Sequence, residues 1–220
     1  MKKFLAVTAA VLSCCLFTAC SDNDKQESIS SEIPSVAEGE AGEVITPDED
    51  DDEYGLGEYR YSSDGTKLYY DENEYSAELM LTLEKYFKSF EENNYEDYKS
   101  CLYPSYIDEM NSYLNENYEY DLETSFQNQR ESLSEKMGGD FKITRIRAEK
   151  AESDSVESYF KPLNETFGKD YYNEIKDSAE NFHHLKFYVM AEDSEKTESL
   201  LVSGFEIVFA EKDGSYYTFG

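Results

Sequence analysis

All the imidazole in the chain is in His183 and His184. They stand side by side at the head of an alternating stretch. On a strand one would point to each face, so the two cannot grip a metal together. Either is the first suspect for a general base if the protein is an enzyme. A structural or surface pair is the reading that the spacing favours. Cys101, next to Leu102, reads as a small buried hydrophobe, and no Cys–His spacing marks it as a nucleophile. The sequence holds no H-E-x-x-H, no G-x-S-x-G, no phosphate loop and no Rossmann glycines. Its 49 carboxylates are too many for one pair to stand out as a glycosidase couple. The tyrosine pairs Tyr69-Tyr70, Tyr171-Tyr172 and Tyr216-Tyr217 offer rings that stack on a sugar or a peptide. Core and interface packing explain them as well, and the absence of tryptophan argues against carbohydrate. The expectation is a protein without catalytic residues, metal or cofactor.

The clearest chemistry is at the N-terminus. Lys2 and Lys3 precede an apolar stretch from Phe4 to Phe17, which is too short to span a bilayer and has the layout of a cleaved signal peptide. Leu16-Phe17-Thr18-Ala19-Cys20-Ser21 resembles the lipobox of bacterial lipoproteins, in which the cysteine receives a diacylglyceryl group. Phe17 departs from the Leu or Val preferred there, and Val11-Leu12-Ser13-Cys14 is a competing box. Cys20 leaves the longer apolar region and is followed at once by polar residues. The resemblance implies a signal peptide over 1–19, lipidation of Cys20, and residence on the extracytoplasmic face of a cell membrane. Two acyl chains suffice for stable anchoring. A secreted protein with cysteines in its leader is the competing reading.

The formal charge is −29, and it becomes more negative once Lys2 and Lys3 are removed. Nucleic acid and anionic headgroups are repelled. From Ser21 to Glu53 there are 13 acidic residues, one lysine and no aromatic residue. Such composition predicts a disordered, lipidated linker over 20–53, spanning roughly 30 Å or more. Its run Asp48 to Glu53 lacks, at the required spacing, the glycine and the terminal bidentate glutamate of a calcium loop. With Cys14, Cys15 and Cys20 assigned to the leader and the lipid, Cys101 alone remains, so no internal disulfide forms.

Residues 54–220 have the size of one domain. Asp64-Gly65 predicts a hairpin between Glu58–Tyr61 and Lys67–Tyr70. Ser76 is a candidate cap for a helix with Leu79, Met80, Leu83, Tyr86, Phe87 and Phe90 on one stripe. A short helix follows around Tyr95 to Leu102, a third begins at Pro104, and a fourth runs from Asp121 to Gly138. Phe141 to Arg147 reads as extended. Helical spacing returns from Val156 to Ile175, with breaks expected at Pro162 and Gly168. Alternation at Leu185 to Ala191 and at Phe205 to Phe209 then predicts strands, with a bulge at Gly204 and a last turn at Asp213-Gly214. Helices first and an antiparallel meander last make the fold α+β.

The stretch Tyr86 to Tyr98, a helix followed by a short second helix, is similar to the opening of NTF2-like (SnoaL-like) domains found in small bacterial lipoproteins. The ending Lys212-Asp213-Gly214-Ser215-Tyr216-Tyr217 is similar to their closing hairpin, with tyrosine where tryptophan is frequent. The resemblance implies a curved antiparallel sheet wrapped on a long helix around a cone-shaped cavity. Relatives use that cavity for ligands, for catalysis or for protein association, and the fold does not choose among them. The functional expectation is a non-catalytic domain binding an extracytoplasmic protein or small ligand. The alternatives are an enzyme using the cone and an assembly module of the cell envelope.

Overall fold

The computed structural model describes residues 35–50, 53–152 and 155–220. Cys20 and the leader lie outside them. The described residues form six α-helices and a curled six-stranded mixed sheet shaped as a half-barrel, an α+β fold as expected.

Strands β1 (Tyr59–Tyr61) and β2 (Lys67–Tyr69) form the expected hairpin, with Gly65 in the left-handed region at φ +82°. Helix α1 (Ala77–Glu91) starts where the Ser76 hydroxyl accepts the Leu79 amide at 3.2 Å. Its stripe of Leu79, Met80, Leu83, Phe87 and Phe90 is almost wholly buried. Helix α2 (Tyr95–Ser100) is capped by Asn94, and α3 (Pro104–Tyr118) opens on its proline, whose missing N–H is not needed there. Helix α4 (Leu122–Met137) runs from the Asp121 cap, which accepts the Thr124 amide at 2.9 Å, to Gly138 at φ +77°. Strand β3 (Lys142–Lys150) precedes α5 (Val156–Phe167) and α6 (Tyr171–Lys176), and the chain ends in β4 (Asn181–Glu192), β5 (Glu198–Lys212) and β6 (Ser215–Thr218).

The sheet order is β1-β2-β3-β4-β5-β6. Strands β4 to β6 are the expected antiparallel meander and β3 adds to it antiparallel, but β2 pairs parallel with β3, so the sheet is mixed rather than antiparallel. The four helices between β2 and β3 supply the long crossover that parallel pairing needs. Pro162 was expected to break a helix, yet it sits exposed inside α5. Tyr159, Phe160, Leu163 and Phe167 pack that helix on the core and outweigh the one lost backbone hydrogen bond. Gly168 ends α5 as expected, at φ +64°.

The bulge at Gly204 is present. Phe187 faces Phe205 and Tyr188 faces Ser203, which leaves Gly204 unpaired at φ +62°. A Cβ there would lie 3.1 Å from the Lys186 Cε. The bulge bends β5 and feeds the curl of the sheet.

The interior of the curl is filled with rings. Phe87 meets Phe187 at 5.1 Å between centroids, Phe90 stacks on Phe126 at 5.0 Å, and Phe160 meets Phe219 at 4.7 Å. Ile207, Val208, Phe209 and Ala210 are buried in succession, so both sheet faces are covered at that end.

The segment expected to be free linker differs at its C-terminal part. Ala41 bridges to Ser62 and Ile45 to Tyr59, while Val36, Ile45 and Leu56 pack on Tyr59, Tyr61 and Tyr69. Glu53 pairs with Lys67 and Arg145 and accepts the Tyr69 hydroxyl at 2.8 Å. The segment brings no aromatic residue of its own; the hairpin supplies three.

Candidate functional site

Alternation separates the two histidines as the sequence requires. His183 shares the face of Leu185, and His184 shares that of Lys186. Both are largely enclosed because the sheet is covered on both sides here. The His183 Nε2 lies 3.5 Å from Glu211 and the ring 5.4 Å from that of Tyr216; the His184 Nε2 lies 3.2 Å from Glu206. Each histidine thus meets its own glutamate from β5, and the structure does not bring the two into one site. Cys101 is buried, with its sulfur 3.9 Å from the Thr82 carbonyl, and burial pushes its thiol up to about 11. It is not a thiolate at neutral pH. Of the tyrosine pairs, Tyr171 is core and Tyr216 and Tyr217 pack against it. Tyr69 and Tyr70 border an open space.

That space is a groove of about 540 Å³ at the carboxyl ends of β2 and β3. There the parallel pair parts: β2 turns away at Tyr70 toward α1, and β3 continues to Lys150. Half-buried Tyr70 lines it together with Leu68, Ala148, Val44 and Leu56, while Tyr59 and Tyr69, which also border it, are themselves buried beneath Val36, Ile45 and Leu56. Burial raises the Tyr70 phenol above its ordinary value, with the Arg60 charge opposing. Behind these strands the Tyr75 hydroxyl lies 3.3 Å from the Glu149 carbonyl and 3.2 Å from that of His184, sharing its one proton between them.

Four carboxylates, Glu58, Asp71, Glu72 and Glu149, line the groove with two guanidiniums, Arg60 and Arg147. Arg60 donates to Glu72 through Nε at 2.6 Å and to the Gly42 carbonyl at 2.5 Å. Arg147 pairs with Glu149 and lies over the Tyr188 ring at 5.6 Å. Each arginine thus has a carboxylate partner and keeps further N–H groups. Asp71 accepts the Asn73 amide and side chain at 2.9 Å, bonds that hold its carboxyl below the usual range. It therefore stays ionised under mildly acidic conditions.

Sequence reasoning located Tyr69 and Tyr70 but not their neighbours. The Asp71-x-Asn73 turn was the one local signal at this place. Among the described residues no three His, Cys, Asp or Glu side chains are placed to hold a metal ion, and no helix is long and apolar enough to cross a membrane. No family model, curated protein or solved structure matches this chain.

Proposed function

We propose that the chain is an extracytoplasmic lipoprotein, anchored through a lipid on Cys20, that presents a non-catalytic binding domain of NTF2-like design. The leader and the Leu16 to Ser21 pattern support the anchor. The curled sheet wrapped on a long helix supports the family likeness. One contrast carries the binding reading: the interior is packed with rings, while a groove bordered by half-buried Tyr70 stands open at the ends of β2 and β3, the one of several similar-sized surface grooves that more than one tyrosine lines. The histidines sit away from that groove, each against a glutamate, which favours binding over acid–base chemistry at His183 or His184. A filled interior also favours a protein occupant over a small molecule held inside a cone, and in that form the domain serves as an assembly module of the envelope.

Site-specific photocrosslinking tests the groove as the binding surface. A photoreactive residue replacing Val44, which is 39% exposed at the lip, should give a discrete adduct when the full chain is expressed in its native host. The same residue replacing Asn115, exposed on α3, should not. Adducts from Asn115 alone, or from neither position, would overturn the proposal.

A further inference from the structure

We infer that the strap formed by residues 36–47 sets how the domain sits on its membrane: the β1 edge of the sheet faces the bilayer and the β5–β6 turn stands away from it. This rests on the reading of Cys20 as the anchor and adds the side that the anchored domain presents.

The strap is held at several points along β1. The Gly42 and Ile45 amides donate to the Tyr61 and Tyr59 carbonyls, both at 2.8 Å, and the Tyr59 amide donates back to the Ile45 carbonyl at 3.0 Å. Arg60 donates to the Gly42 carbonyl at 2.5 Å, and the Gly39 amide to the Ser63 hydroxyl at 3.3 Å. Val36 and Ile45 cover the tyrosine cluster, and Gly42 lets Val36 close in, since a Cβ there would lie 2.9 Å from Val36 Cγ2. Main-chain bonds to a sheet edge are a recognised source of binding strength. The chain therefore leaves the domain at Ser35, beside β1, and not at Tyr54.

That exit shortens the tether. Fifteen residue steps separate Cys20 from Ser35, a reach of ~50 Å at full extension. With the strap released, thirty-nine steps separate Cys20 from Tyr59, a reach of ~130 Å. A domain the length of residues 54–220 is ~40 Å across. Turning its far side to the bilayer sends the chain down the flank of the domain, a path of ~50 Å. The released chain covers that path with slack, whereas the strapped one covers it only when drawn straight, which costs it all its conformational freedom. The register of the sheet names the far side. Through β2 and β3, β1 lies level with Tyr188 to Met190 of β4, while the β5–β6 turn lies past Asn181, at the other end of β4 and near the other edge of the sheet. At the usual spacings along and between strands, the two corners are ~35 Å apart before the curl. Glu38, Glu40 and Glu43 are exposed on the strap, so tether length and not adhesion to lipid sets the side.

The chain has no tryptophan, so an introduced one is a unique donor for energy transfer. Asp64→Trp places it in the exposed β1–β2 turn, and Ser215→Trp places it at the exposed start of β6. The full chain, purified from the membrane fraction and reconstituted in phosphatidylcholine vesicles with dansyl headgroups, should transfer more strongly from Asp64→Trp than from Ser215→Trp. Inserting about twenty Gly and Ser residues after Ser30 extends the reach to ~120 Å and should abolish the difference without touching the domain. Val36→Asp with Ile45→Asp, which sets charges against the tyrosines, should abolish it by freeing the strap. Equal transfer from the two positions in the parent, or a difference that survives the insertion, would overturn the inference. Residues 20–220 coupled through Cys20 to a maleimide lipid separate this inference from the anchor. A difference there, with no vesicle association of the cell-made chain, keeps the orienting strap and removes only the natural lipid; no difference there removes the strap.

Discussion

Phe160→Ala is the sharpest probe of whether the interior is filled. Phe160 is fully buried on α5, with ring centroids of Phe219, Tyr172 and Phe182 at 4.7, 5.2 and 5.9 Å. Its neighbours come from the C-terminal tail, α6 and β4, elements tied by their own hydrogen bonds that cannot collapse freely into a void. Truncating a buried phenylalanine to alanine costs about 3–5 kcal/mol, more where the site relaxes less. Each lost edge-to-face contact adds to the area term. The expected loss is therefore about 4 kcal/mol. With a urea slope of about 2 kcal/mol/M, the midpoint falls by about 2 M. Urea unfolding followed by circular dichroism reads this directly, and an unchanged slope shows that the same surface unfolds. A loss below about 1.5 kcal/mol at unchanged slope would mean that Phe160 already borders open space, refuting the filled interior.

Three further outcomes are expected. Removing residues 1–53 uncovers Tyr59, Tyr61 and Tyr69 and deletes Glu53 from Lys67, Arg145 and Tyr69; the lost apolar burial and the part-buried ion pairs amount to about 2 kcal/mol, a melting point lower by about 4–8 °C by calorimetry, and an unchanged midpoint would show that the segment does not dock. Burial raises the Glu84 carboxyl above its ordinary value, with the Ser62 hydroxyl at 2.6 Å and the Lys88 charge offsetting part. The folded state then holds that proton more tightly, so stability falls as pH rises from the unfolded value through the folded one; Glu84→Gln should remove this fall and match or exceed the parent by about 1 kcal/mol at pH 7 but not at pH 4, as read from urea midpoints at the two pH values. Replacing His183 and His184 together by Gln should leave the Val44 photoadduct intact, and its disappearance from a variant that melts normally would bring the histidines into the binding surface.

Local features of the fold were legible because their causes are local. Ser76 and Asp121 accept the amides three residues on, Gly138 and Gly168 take the left-handed conformation that ends a helix, Asp64-Gly65 turns the hairpin, and Gly204 marks the bulge. The parallel pairing of Leu68 with Ile146 was not legible, since four helices separate the strands and neither strand's pattern names its neighbour. The docking of residues 36–47 was hidden for a related reason: an acidic segment without aromatics looks unable to pack, yet the hairpin provides the rings it lies on. Pro162 was read as a break because its local cost is plain, while the burial that offsets it comes from β4 and the C-terminal tail. The groove assembles from β1, β2, β3 and the docked segment, so of its lining only the Tyr69-Tyr70 pair stood out in the sequence.

The central proposal is that this domain is anchored to a membrane through a lipid on Cys20, and the intact mass of the mature chain tests it most directly. Protein purified in detergent from the membrane fraction of its native host should begin at Cys20 and carry the added mass of a diacylglyceryl group, and Cys20→Ala should move it out of that fraction. A mature chain that begins elsewhere, or one that begins at Cys20 without acyl mass, would contradict the account.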